Sequence, residues 1–426
     1  MKKINALWLC AFLFVCGGCA NQQTSQKMEE EEPSSQVVTE MEEDTVALQT
    51  VSEKDDIWYD GEIPFVFDAF KKYPITKIKL SELADPEYIA LETNDSVLLS
   101  LKGTCKGNEF LFTDNYIYFE DRASEIYIFT RKGKFVRKIN RRGGGPEEYS
   151  HIGSFAADPK HKEIFIQDYY RAAEPIKKKG QKRKSGRTYV YDMHGKYKRH
   201  FNNGATEIVI LNDSLLLNYF LFNPGGPRYS VVRKSDGSEV KKLPIRFPTK
   251  LPHDIHGRYG KLITSPKGAF MSHMGNDTVF EIMRDDLSVR PRIIDKSNYP
   301  TTFAQAHPTL ETSRYLIFYI LCSHNYEPHV DQHFYIYDKK ERQIYQMKDY
   351  DGNSYWVLMD DYPHVTNWSK IQNPNMAVRV RYIYAILQGE GKHGDKAIND
   401  LANSLSEDDN PILQVMNFHD VESVKR

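Results

Sequence analysis

EIYIFTRKGKFVRKIN at residues 125–140 and RTYVYDMHGKYKRHFN at residues 187–202 are two versions of one unit. They share Tyr127/Tyr189, Gly133/Gly195, Lys134/Lys196, Arg137/Arg199 and Asn140/Asn202 at matching positions. In each, alternating aromatic and β-branched residues give the period of two expected of a strand, and the glycine supplies the positive φ of a tight turn. Weaker copies follow at YSVVRKSDGSEVKKLPI (229–245, turn at Gly237), TVFEIMRDDLSVRPRIID (278–295, turn at Asp286) and HFYIYDKKERQIYQMKD (333–349, a charged turn). From Gly133 to Glu341 there are four steps averaging 52 residues, the size of a four-stranded propeller blade with its loops. A sixth unit fits around MAVRVRYIYAIL (376–387).

A sandwich or a solenoid also accommodates such repeats, but ring closure removes sheet edges without capping units. The reading is therefore an all-β chain, a six-bladed β-propeller of four-stranded antiparallel blades. ITKIKLSEL (75–83) is expected to complete the last blade. One short C-terminal helix is expected where Ala397, Ile398, Leu401, Ala402 and Leu405 fall at helical spacing.

Outside the repeats, Met1-Lys2-Lys3 and the apolar run from Ala6 to Val15 form the n-region and h-region of a signal peptide. The run is too short to span a bilayer core, which takes about 20 residues. Small residues precede Cys19 in Cys16-Gly17-Gly18-Cys19, which resembles the bacterial lipobox except that Cys16 stands where that motif usually has Leu. The expectation is a signal peptide over 1–18 and a diacylglyceryl anchor on Cys19, tying the chain to a membrane. The alternative is an ordinary secretory signal with an incidental cysteine. Residues 20–56 hold no Phe, Trp or Tyr and eleven acidic against two basic side chains, a composition that cannot bury a core. With Cys19 they read as a tether over 19–56, ahead of a propeller domain over 57–426. The run Glu29–Glu32 resembles the acidic export signal of surface lipoproteins of Bacteroides-type bacteria, or is a solubilising linker. The chain's net charge of −1 splits into +2 for residues 1–19, −9 for 20–56 and +6 for the rest.

With 27 Tyr and 22 Phe, the composition favours strands. Past Cys19 only Cys105 and Cys322 remain, too few for a disulfide framework. Cys322 closes the apolar run YLIFYILC and reads as a buried thiol, with a bridge to Cys105 the alternative.

KINRRGGGPEEY (138–149) is similar to the GxGPGEY-type segment of the six-bladed, NHL-like β-propeller lipoproteins of Bacteroides-type bacteria. Asp409-Asn410-Pro411-Ile412-Leu413 resembles that family's ending, and the likeness runs over roughly residues 74–415. Glu147 stands where the family tends to have Gly. The resemblance implies a fold and an outer-membrane, surface-exposed location more than a reaction. Gly143-Gly144-Gly145-Pro146 is no phosphate loop, because no Lys-Ser/Thr follows and no helix opens after it. A sharp blade-to-blade crossover accounts for it.

In a four-stranded meander the second-to-third loops and the crossovers share one face. Long loops gather there, where recognition usually sits. That face is expected to hold Arg141, Arg142 and Tyr149 in the first crossover and the insertion IKKKGQKRKSGR (176–187) with Lys178, Lys182 and Arg183. It also takes PHDIHGRYG (252–260) with His253, His256 and Arg258, and SHNYEPHVDQ (323–332) with His324. Seven Lys or Arg in the eleven residues 177–187 make either a solvated loop or a patch for an anionic polymer. Outside the cytoplasm that polymer is an acidic glycan or an anionic lipid surface rather than nucleic acid. Tyr169, Tyr170 and Tyr189 beside it are sugar-stacking platforms or blade core. The histidine loops match no metal spacing such as HExxH, and no G-x-S-x-G elbow occurs. No catalytic set, metal site or cofactor is assigned. The leading function is binding of an extracellular glycan, peptide or protein. The alternative is a propeller hydrolase or lyase acting on a carbohydrate-like substrate.

Overall fold

The computed structural model describes residues 64–76, 83–99, 110–121, 123–168, 186–220, 228–243, 245, 260–273, 276–297, 302–324, 330–347, 370–371, 376–387 and 396–419. Two strands come before the regular repeats, β1 (Phe65–Phe67) and β2 (Ala84–Ala90). Blade 1 is the meander β3 (Phe110–Phe112), β4 (Tyr116–Glu120), β5 (Ile126–Thr130) and β6 (Phe135–Ile139). Blade 2 is β7 (Ser154–Asp158), β8 (Glu163–Asp168), β9 (Arg187–Asp192) and β10 (Tyr197–Asn202). Blade 3 is β11 (Glu207–Ile210), β12 (Leu215–Tyr219), β13 (Tyr229–Arg233) and β14 (Glu239–Leu243). Blade 4 is β15 (Gly260–Thr264), β16 (Gly268–His273), β17 (Thr278–Met283) and β18 (Val289–Asp295). Blade 5 is β19 (Thr302–Glu311), β20 (Tyr315–His324), β21 (Val330–Asp338) and β22 (Gln343–Gln346). The chain then gives β23 (Lys370–Ile371), β24 (Met376–Arg381), two helices, α1 (Ile383–Leu387) and α2 (Lys396–Asn403), and β25 (Ile412–Phe418).

Alternation along each strand sends successive side chains to the two neighbouring blades, and the apolar clusters follow from it. Phe165 and Val190 of blade 2 meet Ile208, Leu216 and Val232 of blade 3. On the other side of blade 2, Ile164, Ile166, Tyr189 and Tyr191 meet Tyr118 and Ile128 of blade 1. Equivalent clusters join blades 3 and 4, 4 and 5, 5 and 6, and 6 and 1. Six sheets with a cluster at every junction form a closed ring of antiparallel blades.

Closure differs from the sequence expectation in its detail. Blade 6 pairs β24 with β25 and β25 with β2, so the N-terminal strand that completes it is ADPEYIA, 84–90, one segment later than ITKIKLSEL. Leu83 ends that earlier stretch and accepts a bond from the amide of His419. Its first residue, Ile75, bridges Gln346 at the outer edge of blade 5, and residues 77–82 lie outside the described residues. Together with β1, which pairs parallel with β18, this segment straps the rims of blades 4 and 5. Phe67 is buried against Tyr73, Phe318 and Tyr335. The proposed sixth repeat, 376–387, is a strand followed by α1 rather than a hairpin. Ile383 and Ile386 turn onto Ile398 and Ala402 of α2, and the pair covers the end of blade 6. The expected C-terminal helix is α2, which buries Ile398 and Ala402 and leaves Ala397 exposed, and α1 adds a five-residue helix before it.

The third-to-outer turns lie where the repeats put them. Gly133, Gly195 and Gly237 have φ of +77°, +79° and +73°. In blades 4 and 5 the same left-handed position is taken by Leu287 and Arg342.

Candidate functional site

At the junction of blades 2 and 3 the apolar rows end, toward the crossover side, in polar residues. In blade 2 the row through Ala156, Phe165 and Val190 continues to Ser154, Gln167 and Thr188. In blade 3 the row through Leu216 and Val232 continues to Asn218 and Ser230. All five are buried. The two rows meet where the Ile208 amide donates to Ser154 Oγ, 3.3 Å away. Ser154 is the register partner of Gln167, and Ile208 of Asn218. Thr188 Oγ1 lies 2.5 Å from Gln167 Oε1 and 3.0 Å from Asn203 Oδ1. Gln167 Nε2, Asn203 Nδ2 and both amide atoms of Asn218 have no hydrogen-bond partner.

The polar layer continues around the ring. Between blades 3 and 4 it holds Tyr219, Tyr229 and His273, with the Tyr229 hydroxyl donating to the Ser272 carbonyl. Burial, and then the neighbouring Tyr219, push the Tyr229 hydroxyl well above the ordinary phenol range. Between blades 4 and 5, Ser272 Oγ is 3.1 Å from His307 Nδ1, and the His307 ring stacks on Tyr319. A serine beside a histidine is the geometry of a nucleophile and its base. Here both are buried and the pair pins two blades together. Blade 5 stands above its neighbours on this side, because β19 and β20 run for ten residues where β15 has five and β16 six. Among the described residues no group of three or more His, Cys, Asp or Glu is placed to hold a metal.

The sequence-proposed residues separate into three groups. Arg141 and Arg142 are exposed in the first crossover. Tyr149 is a correction: it is fully buried, accepting from the Arg141 amide and donating to the Ser124 carbonyl, so it shapes the crossover from beneath. Burial raises its hydroxyl to about 12. Tyr189 is likewise fully buried in the blade 1–2 cluster rather than offered to a sugar. His324 ends β20 with its backbone opposite Thr302. Cys19, Lys178, Lys182, Arg183, His253, His256 and Arg258 lie outside the described residues, as do Tyr169, Tyr170 and Cys105.

The first crossover reaches the third-to-outer turn of the next blade, Arg141 Nε donating to the carbonyl of Gly195, 2.7 Å away. Sheet twist swings each outer strand across the rim, so its end reaches the next blade's turn. The buried amides were missed because a lone Asn or Gln inside a strand carries no motif. The signal was positional, since Gln167 and Asn218 sit two residues beyond core positions on the strands that feed the two longest second-to-third loops.

A family model described as a domain of unknown function, DUF4934, matches residues 63–417. The chain belongs to the DUF4934 family. That match spans the ring from β1 to β25. Among solved structures, a protein of Bacteroides fragilis described as exported is similar in fold, with TM-score 0.56 and 15% identity over 84% of this chain and 100% of that chain. A DUF4221 member from Bacteroides vulgatus has TM-score 0.48 and 10% identity over 80% of this chain and 99% of that one. No curated protein matches.

Proposed function

We propose that this propeller is a non-catalytic binding module of the bacterial envelope, exported, lipid-anchored through Cys19 at the outer membrane and facing outward. Its crossover side takes an extracellular ligand of anionic or glycan character. The observation that carries this reading is the polar layer across blades 2 to 5 on the side where the basic insertion departs. Asp168 and Gly186, the described residues flanking that insertion, both border the layer. Asp168 is held by the amide and hydroxyl of Ser150, at 2.7 and 2.8 Å, which fixes the point of departure. The signal sequence and the likeness to an exported Bacteroides protein support the location.

Arg187 is the first residue of β9 and is held within blade 2, its Nε donating to Asn202 Oδ1 at 3.1 Å, so replacing it would disturb the blade. The testing variant therefore neutralises Lys177, Lys178, Lys179, Lys182, Arg183 and Lys184 only. The parent should bind acidic polysaccharide with an affinity that falls as salt rises, since the Debye length shrinks from about 10 Å at 0.1 M to about 3 Å at 1 M. In the variant that salt dependence should vanish while the unfolding transition stays put. Equal binding by both proteins would reduce the insertion to a solvated loop. Cys19→Ser should move the protein from the membrane to the soluble fraction, and unchanged partitioning would end the anchor assignment.

A further inference from the structure

We infer that the buried amide layer between blades 2 and 3, formed by Gln167, Thr188, Asn203, Asn218 and Ser230, is a binding site for the hydroxyl groups of a sugar. This deepens the glycan reading above.

The first observation is unmet hydrogen bonding. Four side-chain atoms on three neighbouring amides lack partners in one layer, and Gln167 and Asn218 are fully buried. Native interiors leave few such groups, and each one calls for an occupant or a function. Thr188 has one hydroxyl proton for the two carbonyls beside it. One of those amides must therefore present its N–H to Thr188 and keep its carbonyl open. With either orientation the layer offers both donors and acceptors, and Asn218 alone offers one of each.

The second observation is the backbone above it. Gly186 and Gly204 approach closely, Gly204 N donating to Gly186 O at 3.0 Å. A Cβ on Gly186 would lie 3.3 Å from Gln167 Nε2 and 3.2 Å from Gly204 Cα. With no side chain at Gly186 the backbone passes close to that amide and no Cβ screens it, beside Gly204 at φ of +64°.

The chemistry selects the ligand class. The five side chains include no charge, and the two ions flanking them, Asp168 and Arg187, are of opposite sign and held by the neutral side chains of Ser150 and Asn202. The layer therefore has no excess of either charge to select an ion, and an apolar molecule would leave the amides unmet. A sugar hydroxyl donates and accepts at one oxygen, which is what side-chain amides and hydroxyls match. Phe220, packed at the edge of the cluster beneath, supplies an apolar surface for the C–H face of the ring. Entry needs a local opening at the crossover side, of the kind native domains undergo continually.

The test uses the full-length protein in detergent, the parent beside Asn218→Leu and Gln167→Leu, with glucose, galactose and N-acetylglucosamine oligomers as neutral probes and a galacturonate oligomer as the acidic one. At least one neutral oligomer should bind the parent independently of salt, and each variant should weaken it tenfold or more. Replacing Asn218, whose amide has no partner, by an apolar side chain of similar size should leave Tm unchanged or raise it, so lost binding with a retained or higher Tm separates a binding role from a structural one; Gln167→Leu also removes the acceptor of the Thr188 hydroxyl and is read for binding alone. Asn218→Gln, which keeps the amide, covers the case in which Leu does not fold, and should retain more affinity than Asn218→Asp. The inference is overturned if no neutral oligomer binds, or if Asn218→Leu binds as the parent does. It is also overturned if a crystal grown with the oligomer holds ordered water alone on these amides, or if a peptide mixture is retained where every sugar is not. Salt-dependent binding of galacturonate that survives in Asn218→Leu would sink this site while leaving the basic insertion standing.

Discussion

Gly133, Gly195 and Gly237 each do more than permit a turn. A Cβ at Gly133 would sit 2.1 Å from the carbonyl oxygen of Ala90, at the end of blade 6's outer strand. At Gly195 it would meet Ile139 Cγ2 at 3.1 Å, and at Gly237 Phe201 Cδ2 at 2.3 Å. Ala90, Ile139 and Phe201 end, or nearly end, the outer strand of the preceding blade, so the turn is the socket into which that strand docks. The carbonyl of the left-handed residue also accepts a bond from the preceding blade, from the Glu92 amide at Gly133, Arg141 Nε at Gly195 and Lys241 Nζ at Leu287. Alanine at any of the three glycines meets the left-handed penalty of about 1–2 kcal/mol. The neighbours then set a ranking. Gly195→Ala should cost least, because an isoleucine methyl gives way, and Gly133→Ala and Gly237→Ala more, because a backbone carbonyl and a buried ring do not. Urea midpoints of the three variants check that order. The glycines were legible as turns, whereas their role as sockets depended on which chain arrives there.

At the scale of the element, one contact recurs in four blades. The residue just past the third strand is basic, Arg131, Lys234, Arg284 and Lys339, and its amide donates to the first hairpin's turn at Asn115, Ser214, Lys267 and Arg314. Blade 2 has Met193 there. In blade 3 the side chain crosses the junction, Lys234 pairing with buried Asp158 of blade 2, which also holds His161. Arg199 and Lys198 clamp Glu163 nearby. Burial alone would raise both carboxyls, but these bonds outweigh it, Lys234 and His161 holding Asp158 below its usual range and Arg199 and Lys198 doing the same for Glu163. A carboxyl depressed on folding stabilises the fold above its unfolded value, about 4, and that stability is lost as the pH falls through the lower native value. Glu281, raised by burial against the pull of Arg292, acts the other way, its contribution present in acid and lost as the pH rises through its native value. Lys234→Met strands Asp158 without its main partner and should cost about 3–5 kcal/mol near neutral pH. Because Asp158 would then take up a proton more readily, the deficit should shrink toward pH 3. Denaturation curves at pH 7 and pH 3 read the difference, and an equal loss at both would contradict the pairing.

At the scale of the molecule, the ring is closed by Asn410. Its amide N–H₂ donates to the carbonyls of Glu92 and Val97 at 2.7 and 2.8 Å, its Oδ1 accepts from the Leu99 amide at 2.8 Å, and its own backbone amide donates to Thr93 Oγ1 at 2.7 Å. One buried side chain thus ties the segment after β2 to the turn before β25, where the two ends of the domain meet. Asn410→Leu abolishes three side-chain bonds, leaving the Glu92 carbonyl and the Leu99 amide without theirs and Val97 O with only the long bond from the Asn94 amide at 3.4 Å, a loss of about 2 kcal/mol or more. Asn410→Asp keeps the acceptor but sets a carboxylate against two carbonyls, and should be no better at neutral pH. Hydrogen exchange should show the β2–β25 pairing opening before the other blades in both variants, and uniform loss of protection would contradict a local latch.

The sequence by itself determined the architecture, because alternation, turn glycines and a spacing near 52 residues are local and repeat. Five meanders of that kind and a sixth unit near the C-terminus leave closure as the way to remove their edges. It also pointed to Asn410, but only as part of a resemblance, without the bonds that explain it. Tertiary structure alone decided that 84–90 is the closing strand, that Tyr149 and Tyr189 are core, and that Arg141 reaches Gly195 across the rim. It alone brought Gln167, Asn203 and Asn218 together. Those outcomes depend on sheet twist and on which blade faces which, distances set by residues far apart in the chain. A side chain's own neighbours in sequence therefore carry no trace of them.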